Sequence, residues 1–207
     1  IRENNIRFEL SFAEGYSVGL FLDQRDNRRR LLVGHIAADF PIDLTGVEML
    51  NAFAYTCSFS VCAARAGART TSLDLSRKYL TWGARNLELN GIVPAEHDFI
   101  FGDAFDWLRR LGRKGRRFAV IVLDPPTFSQ SKRSGVFRAE TDYGKLVTAA
   151  APLLAPGGVL FTSTNAAQLD PESFLDSVSA ALVAGGRRIQ RRHYAPQPPD
   201  FPVSSRE

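Results

Sequence analysis

The sequence predicts an α/β protein, a mostly parallel sheet with helices on both faces, preceded by a short N-terminal β-hairpin. Three observations predict it. From Gly46 onward short apolar runs alternate with amphipathic stretches, the pattern of strands joined by crossover helices. The runs, FAVIVLD at 118–124 above all, are apolar at consecutive positions, which marks strands covered on both faces. Capping and turn residues separate the units. Right-handed crossovers wind such a chain as a Rossmann-like sheet.

Residues 6–22 alternate apolar and polar residues around Glu14-Gly15 and read as the hairpin. Asp23 opens an arginine-rich helix continuing to about Phe40. VEMLNAF is then a strand and SFSVCAARAG a helix; ARTTSLDL is a strand, followed by a helix with Ser76 as N-cap and Gly91 past its end. HDFIFG, DAFDWLRRLG and FAVIVLD continue as strand, helix, strand. A loop rich in Pro, Ser and Lys leads to a helix from about Asp142 to Leu154. Gly157-Gly158 introduces the strand VLFTST, and a helix from Pro171 to Val183 precedes a strand RRIQRRHY. The organisation expected is residues 1–40 as hairpin and linking helix, and 41–207 as the sheet domain. The Pro-rich tail reads as a loop leading onward. Because the chain opens at Ile1 and its sole methionine is Met49, it reads as a piece of a longer protein.

The 207 residues are enough for one such domain. Apolar residues are 44% and charged residues 23%, near globular averages, which excludes disordered and fibrous classes. No apolar run approaches the ~20 residues of a membrane span, and no secretory signal opens the chain. Cys57 and Cys62 are too few and wrongly spaced for a metal site or a disulfide framework. They read as buried reduced thiols of a cytoplasmic protein. The net charge of +4 is mild, but arginines are dense at 25–30, 109–117 and 187–192. Each run alone reads equally as a solvated face; together they favour a polyanionic partner.

In open parallel sheets ligands lie beyond the C-terminal strand ends. Four such ends here carry suitable residues. After the first comes the small, polar stretch 51–60; the second ends in Asp74, the third in Gly102-Asp103-Ala104, the fourth in Asp124-Pro125-Pro126-Thr127-Phe128. Asp74 reads either as a helix cap or as an acceptor for two ribose hydroxyls. Asp103 reads either as an N-cap or as an adenine contact as well. A dinucleotide oxidoreductase would want G-x-G-x-x-G after the first strand, yet no glycine falls between Gly46 and Gly67. A nucleoside cofactor without phosphate needs no such cradle.

FAYTCSFSV, LDLS, NLELNG, GDAFDWL and DPPTFSQSK, in that order and preceded by GLFLDQRDNR, resemble the class I S-adenosyl-L-methionine-dependent methyltransferases of large-subunit ribosomal RNA. That family includes 5-methylcytosine enzymes with an N-terminal PUA domain and the 7-methylguanine half of a two-headed enzyme. The resemblance covers roughly residues 5–195 and implies site roles. Asn51, Phe53, Ala54, Tyr55, Thr56, Cys57 and Ser58 would surround the methionine part of the cofactor. Asp74 with Leu75 would hold the ribose and Asp103 with Ala104 the adenine; Asn90 belongs to the same set. Phe21, Asp23, Gln24 and Arg25 would close over the cofactor, and Asp124 would face the reactive centre. Cys57 stands where the family usually has glycine; a side chain there costs on the order of 1 kcal/mol if the backbone needs positive φ.

The acceptor atom is read from what the chain lacks. Carbon-5 of cytosine requires attack by a cysteine thiolate, which the 5-methylcytosine relatives place after their fifth strand. Here that position is Asn165, and neither thiol is well placed. A guanine N7 offers a lone pair and needs no covalent step. Both DPPTFS and the asparagine look like the 7-methylguanine relative. An exocyclic amine is the runner-up, with Asp124, Pro125 and Pro126 as its acceptors, although Thr127 displaces the aromatic by one position. Phe128 would stack on the flipped base, and Asn165 would help orient it. Ser129 to Arg133 form a basic loop suited to phosphate contact. RNA is thus the expected partner, with a binding-only remnant as the competing class.

Overall fold

In a computed structural model, residues 1–14, 17–131, 135–166 and 169–201 are described. The chain opens with β1 (Arg2–Glu3) and β2 (Ile6–Arg7), an antiparallel pair. Its turn is Asn4-Asn5, with φ of 47° and 66°, the left-handed pair that two-residue hairpins demand and asparagine tolerates. The hairpin therefore lies upstream of the expected one. Phe12–Glu14 form a 3-10 turn instead of strand; Gly15, in the expected turn, is outside the described residues.

Helix α1 (Arg25–Leu32) is shorter than the arginine-rich run predicts. It stops at Val33, and β3 (His35–Ala37) pairs antiparallel with β4 (Phe40–Pro41). Asp39, at φ 58°, turns the chain there. The alternating units then follow as read: β5 (Glu48–Ala52), α2 (Ser58–Arg65), β6 (Arg69–Asp74), α3 (Arg77–Glu88), β7 (Asp98–Phe101), α4 (Ala104–Arg113) and β8 (Phe118–Leu123). Ser76 caps α3 by accepting from the Tyr79 amide at 3.2 Å. The stretch expected as a loop contains an antiparallel pair, β9 (Phe128–Ser131) with β10 (Gly135–Arg138). Then come α5 (Ala139–Ala150), β11 (Leu154–Thr162) and α6 (Pro171–Ala184).

The central sheet has the order β11-β8-β5-β6-β7, every pair parallel. The chain steps outward from β5 to β7, then crosses back to β8 on the other side. The switch point lies between β5 and β8, where a crevice opens. Period-two alternation sends Leu50, Ala52, Ile121 and Leu123 to the face covered by α4, α5 and α6. Met49, Val120 and Val122 face the opposite layer, with Leu31 of α1 and Phe59 and Ala63 of α2. Residues 187–194 form no strand: Arg187 reaches the carbonyls of Ala151 and Leu154, and Arg191 stacks over Phe40. A strand needs a ladder partner, and here the arginines are held one by one instead.

Ile6, Phe8 and Leu20 pack on Val61, Cys62 and Leu87, fastening the N-terminal segment to α2 and α3. Gly19 makes this approach possible. A Cβ there would overlap the Trp82 ring, and its φ of 109° suits glycine alone. Among the described residues no helix is long and apolar enough to cross a membrane.

Candidate cofactor and acceptor site

The loop after β5 carries three of the six non-glycine residues with positive φ among the described residues. Phe53, Tyr55 and Cys57 adopt φ of 61°, 49° and 62°, a conformation that costs a side-chain-bearing residue on the order of 1 kcal/mol. Strain of this kind persists only where surroundings over-determine it. Tyr55 lies against Phe21, Tyr79 and Trp82, with ring centroids 5.2, 4.5 and 6.5 Å away. Thr56 donates its hydroxyl to the Gly19 carbonyl at 2.7 Å. Buried Asn86 donates to the Thr56 carbonyl and accepts from the Glu9 amide. The N-terminal segment and α3 thus clamp the loop from two sides.

Successive strand ends place the expected carboxylates around this loop. Asp74 closes β6 and accepts the Tyr55 amide on one oxygen and the Ser76 amide on the other, both at 2.8 Å. The cap reading is therefore real, yet a carboxylate with about four acceptor sites keeps capacity for a further donor. Burial raises the Asp74 pKa, against the lowering effect of the Tyr55, Ser76 and Leu75 amides. Asp103 is the N-cap of α4, accepting the Asp106 amide at 3.1 Å, and Ala104 begins that helix. Leu75 is exposed beside Asp74. This donor set fits a nucleoside with a diol and an exocyclic amine: acidic acceptors at neighbouring strand ends, and no glycine-rich cradle to receive a phosphate.

Asp124 follows β8 at the switch point. Its Oδ1 accepts the Ser163 hydroxyl at 2.5 Å. Burial pushes its pKa up to about 6; the Ser163 hydrogen bond lowers it, the Asp23 charge raises it and Arg28 lowers it. Pro125 is buried, while Pro126 and Phe128 are exposed. The Phe128 ring carries the Arg138 guanidinium 5.2 Å from its centroid, across the β9–β10 pair. Asn165 is exposed just past β11. A cavity of about 1380 Å³ along the outer side of β11 takes in Asp23, Gln24, Ser163 and Asn165, but neither Asp74 nor Asp103. Asp124, Pro125, Pro126 and Phe128 do not line it either, so it follows the β11 edge and not the ends of β6, β7 and β8.

Other expected residues are engaged with the protein itself. Asn51 is inside β5, its amide donating to Ser60. Asn90 sits at the far end of α3 from Ser76, bonding both the amide and carbonyl of Arg7. Arg25 turns outward to a two-pronged pair with Asp200. Gln24 is buried, receiving Asn27. Lys132 and Arg133, expected to contact phosphate, are outside the described residues. Sequence reasoning missed Arg28, which is fully buried, paired through two nitrogens with Glu3 and donating to the Phe21 carbonyl. It is one arginine in a dense run, and its partner is 25 residues away, so no local pattern singles it out.

Comparison with known proteins accords with this geometry. A "Ribosomal RNA large subunit methyltransferase K" of Neisseria meningitidis is 42% identical over 167 residues, 80% of this chain and 45% of the relative. A "Ribosomal RNA large subunit methyltransferase" of Deinococcus radiodurans is 36% identical over 209 residues, 100% of this chain and 48% of the relative. The chain spans about half the length of these relatives. A crystal structure described as a methyltransferase complexed with SAH superposes with a TM-score of 0.82 at 32% identity, over 98% of this chain and 50% of that one. Residues 1–205 match the family described as S-adenosylmethionine-dependent methyltransferase, and the chain belongs to that family.

Proposed function

We propose that this chain carries the catalytic centre of an enzyme that methylates a base nitrogen of large-subunit ribosomal RNA, with guanine N7 as the acceptor. The observation that carries the choice of atom is the position of the two thiols. Cys57 and Cys62 are buried and pushed up to about 12 by desolvation, and Asn165 stands past β11 where a cytosine-C5 enzyme needs a thiolate. Neither cysteine can serve as that nucleophile. A ring nitrogen with its own lone pair requires only placement.

S-adenosyl-L-methionine, when bound, supplies an electrophilic methyl group on a sulfonium. The protein's part is to hold and orient. The strained 53–57 loop with Ala54 and Ser58 encloses the methionine portion, and the remaining acceptor sites of Asp74 take the ribose hydroxyls. Asp103 and Ala104 receive the adenine, and Leu75 supplies an apolar edge. Phe21, Asp23 and Gln24 border the site from the N-terminal side. Asp124 and Asn165 orient the acceptor base, with Pro125 and Pro126 fixing the chain between them and Phe128 stacking on the base. The Phe128–Arg138 stack favours a π-faced acceptor, since a guanidinium laid on one face of the ring leaves the other for a base.

The runner-up acceptor is an exocyclic amine, favoured by the half-buried Asp124 carboxylate, which can accept an amine N–H. Incubating the full-length protein with unmodified large-subunit ribosomal RNA and labelled S-adenosyl-L-methionine, then digesting to nucleosides for mass spectrometry, separates the readings. 7-Methylguanosine is expected. An N6- or N2-methylated nucleoside would select the amine reading, 5-methylcytidine would contradict the thiol argument, and cofactor binding without transfer would mark an RNA-binding remnant.

A further inference from the structure

We propose that Ser163 is a positioning residue for methyl transfer: its hydroxyl holds one oxygen of Asp124 and turns the other toward the acceptor base. This rests on the reading that Asp124 meets that base. Ser163 follows β11, the neighbour of β8, so its hydroxyl and the Asp124 carboxyl come from the ends of two adjacent strands. They meet at 2.5 Å, the short end of the range for a hydroxyl donating to a carboxylate.

The backbone at this junction is itself braced. The Ser163 amide donates to the Leu123 carbonyl at 3.1 Å. The Tyr143 hydroxyl of α5 lies 2.7 Å from the Leu123 carbonyl and 3.0 Å from that of Ser163. Tyr143 is buried, its ring edge-on to Phe174 at 4.8 Å. One side chain from the helix layer thus ties together the two residues that fix the Ser163 and Asp124 positions. Such a brace fixes the backbone of the two strand ends that carry the Ser163 hydroxyl and the Asp124 carboxyl, the support that orientation-limited catalysis needs.

Among the described residues, the charged and titratable groups that act on Asp124 are Asp23 and Arg28 from the N-terminal segment and Tyr143 from α5. Asp23 opposes ionisation of Asp124, while Arg28 and Ser163 favour it. Loss of the hydroxyl therefore moves Asp124 ionisation to higher pH, and an acid-side limb of kcat that reports the carboxylate moves with it.

The test compares full-length Ser163→Thr and Ser163→Val, near-isosteres that differ in the hydroxyl, and Ser163→Ala, with Asp124→Ala alongside. The expected result is a fall of about 10- to 100-fold in kcat for Val and Ala, the size of a lost hydrogen bond to a charged group. The acid limb should shift upward, S-adenosyl-L-methionine affinity should stay unchanged, and Thr should recover most of the rate. A merely structural role would lower thermal stability without moving the limb. Wild-type kcat and pH profile in Val and Ala, with Asp124→Ala inactive, would overturn the role of Ser163 and leave Asp124 standing. Full turnover in Asp124→Ala would remove the underlying reading and the proposal with it.

Discussion

Cys57 and Gly83 share one volume. A Cβ on Gly83 would stand 2.7 Å from the Cys57 Cβ and overlap its sulfur. The Cys57 side chain therefore packs against α3, among Ala54 and Leu80, where it is wholly buried. Cys57 keeps the left-handed backbone at φ 62° and fills a space that a glycine on the facing helix leaves open.

The first prediction is a strong coupling between these positions. Gly83→Ala in the native background should destabilise by about 1–3 kcal/mol through overpacking. The same substitution on Cys57→Gly should cost much less, because the space is vacant and the left-handed residue is now unstrained. Thermal melts of the four proteins measure the cycle; additive effects would contradict the shared volume.

The same burial predicts the chemistry of the thiols. With both pushed up to about 12, neither Cys57 nor Cys62 should react with a disulfide reagent at pH 8 until the protein is unfolded. Rapid labelling of either in the native state, followed by mass spectrometry, would reopen the cytosine-C5 reading.

Arg28 and Glu3 form a pair with 1% and 10% side-chain exposure and a 2.7 Å separation. Glu3→Gln leaves a buried guanidinium without its counter-charge and should cost about 3–5 kcal/mol. Arg28→Met with Glu3→Leu should recover much of that loss, since neither charge is then stranded. Because Arg28 also donates to the Phe21 carbonyl, Arg28→Met should weaken cofactor binding beyond its effect on stability. Calorimetry and denaturant melts on the same samples separate the two effects.

Asp124 gives a pH signature. Its folded pKa of about 6 is above the ordinary 3.8, so the folded state holds a proton that the unfolded chain releases. Its contribution favours folding below pH 4 and is lost as the pH rises through 6. Asp124→Asn should thus raise the melting temperature at pH 8 and do little at pH 3. Equal shifts at both pH values would show that the carboxyl is not desolvated.

Most of the sheet was legible because its signals are local. Consecutive apolar residues at 118–123 and the Ser76 cap are read without knowing any contact, and β5 to β8 fall where they predict. Elements decided by distant partners were not. Residues 187–194 have strand character, but a strand exists only with a neighbour to bond. Asn4-Asn5, not Glu14-Gly15, turns the hairpin, and the helix after Asp23 stops at Val33 where a second small hairpin takes over. In the site, strand-end carboxylates are legible because topology sends strand ends to one edge. Asn90, expected beside Asp74 and Asp103, is at the opposite end of α3 from Ser76 and bonds the Arg7 backbone, a partner 83 residues away. Arg28, Ser163 and Tyr143 act through residues 25, 39 and 20 positions away, a separation that no window on the sequence spans.

The most direct test of the central claim is calorimetric titration of the protein with S-adenosyl-L-methionine, with NAD as control and Asp74→Ala as the variant. Binding in the micromolar range, absent for NAD and lost or at least 100-fold weaker in Asp74→Ala while the fold persists by circular dichroism, is the predicted result. Unchanged affinity in Asp74→Ala, or no binding by the native protein, would contradict the account.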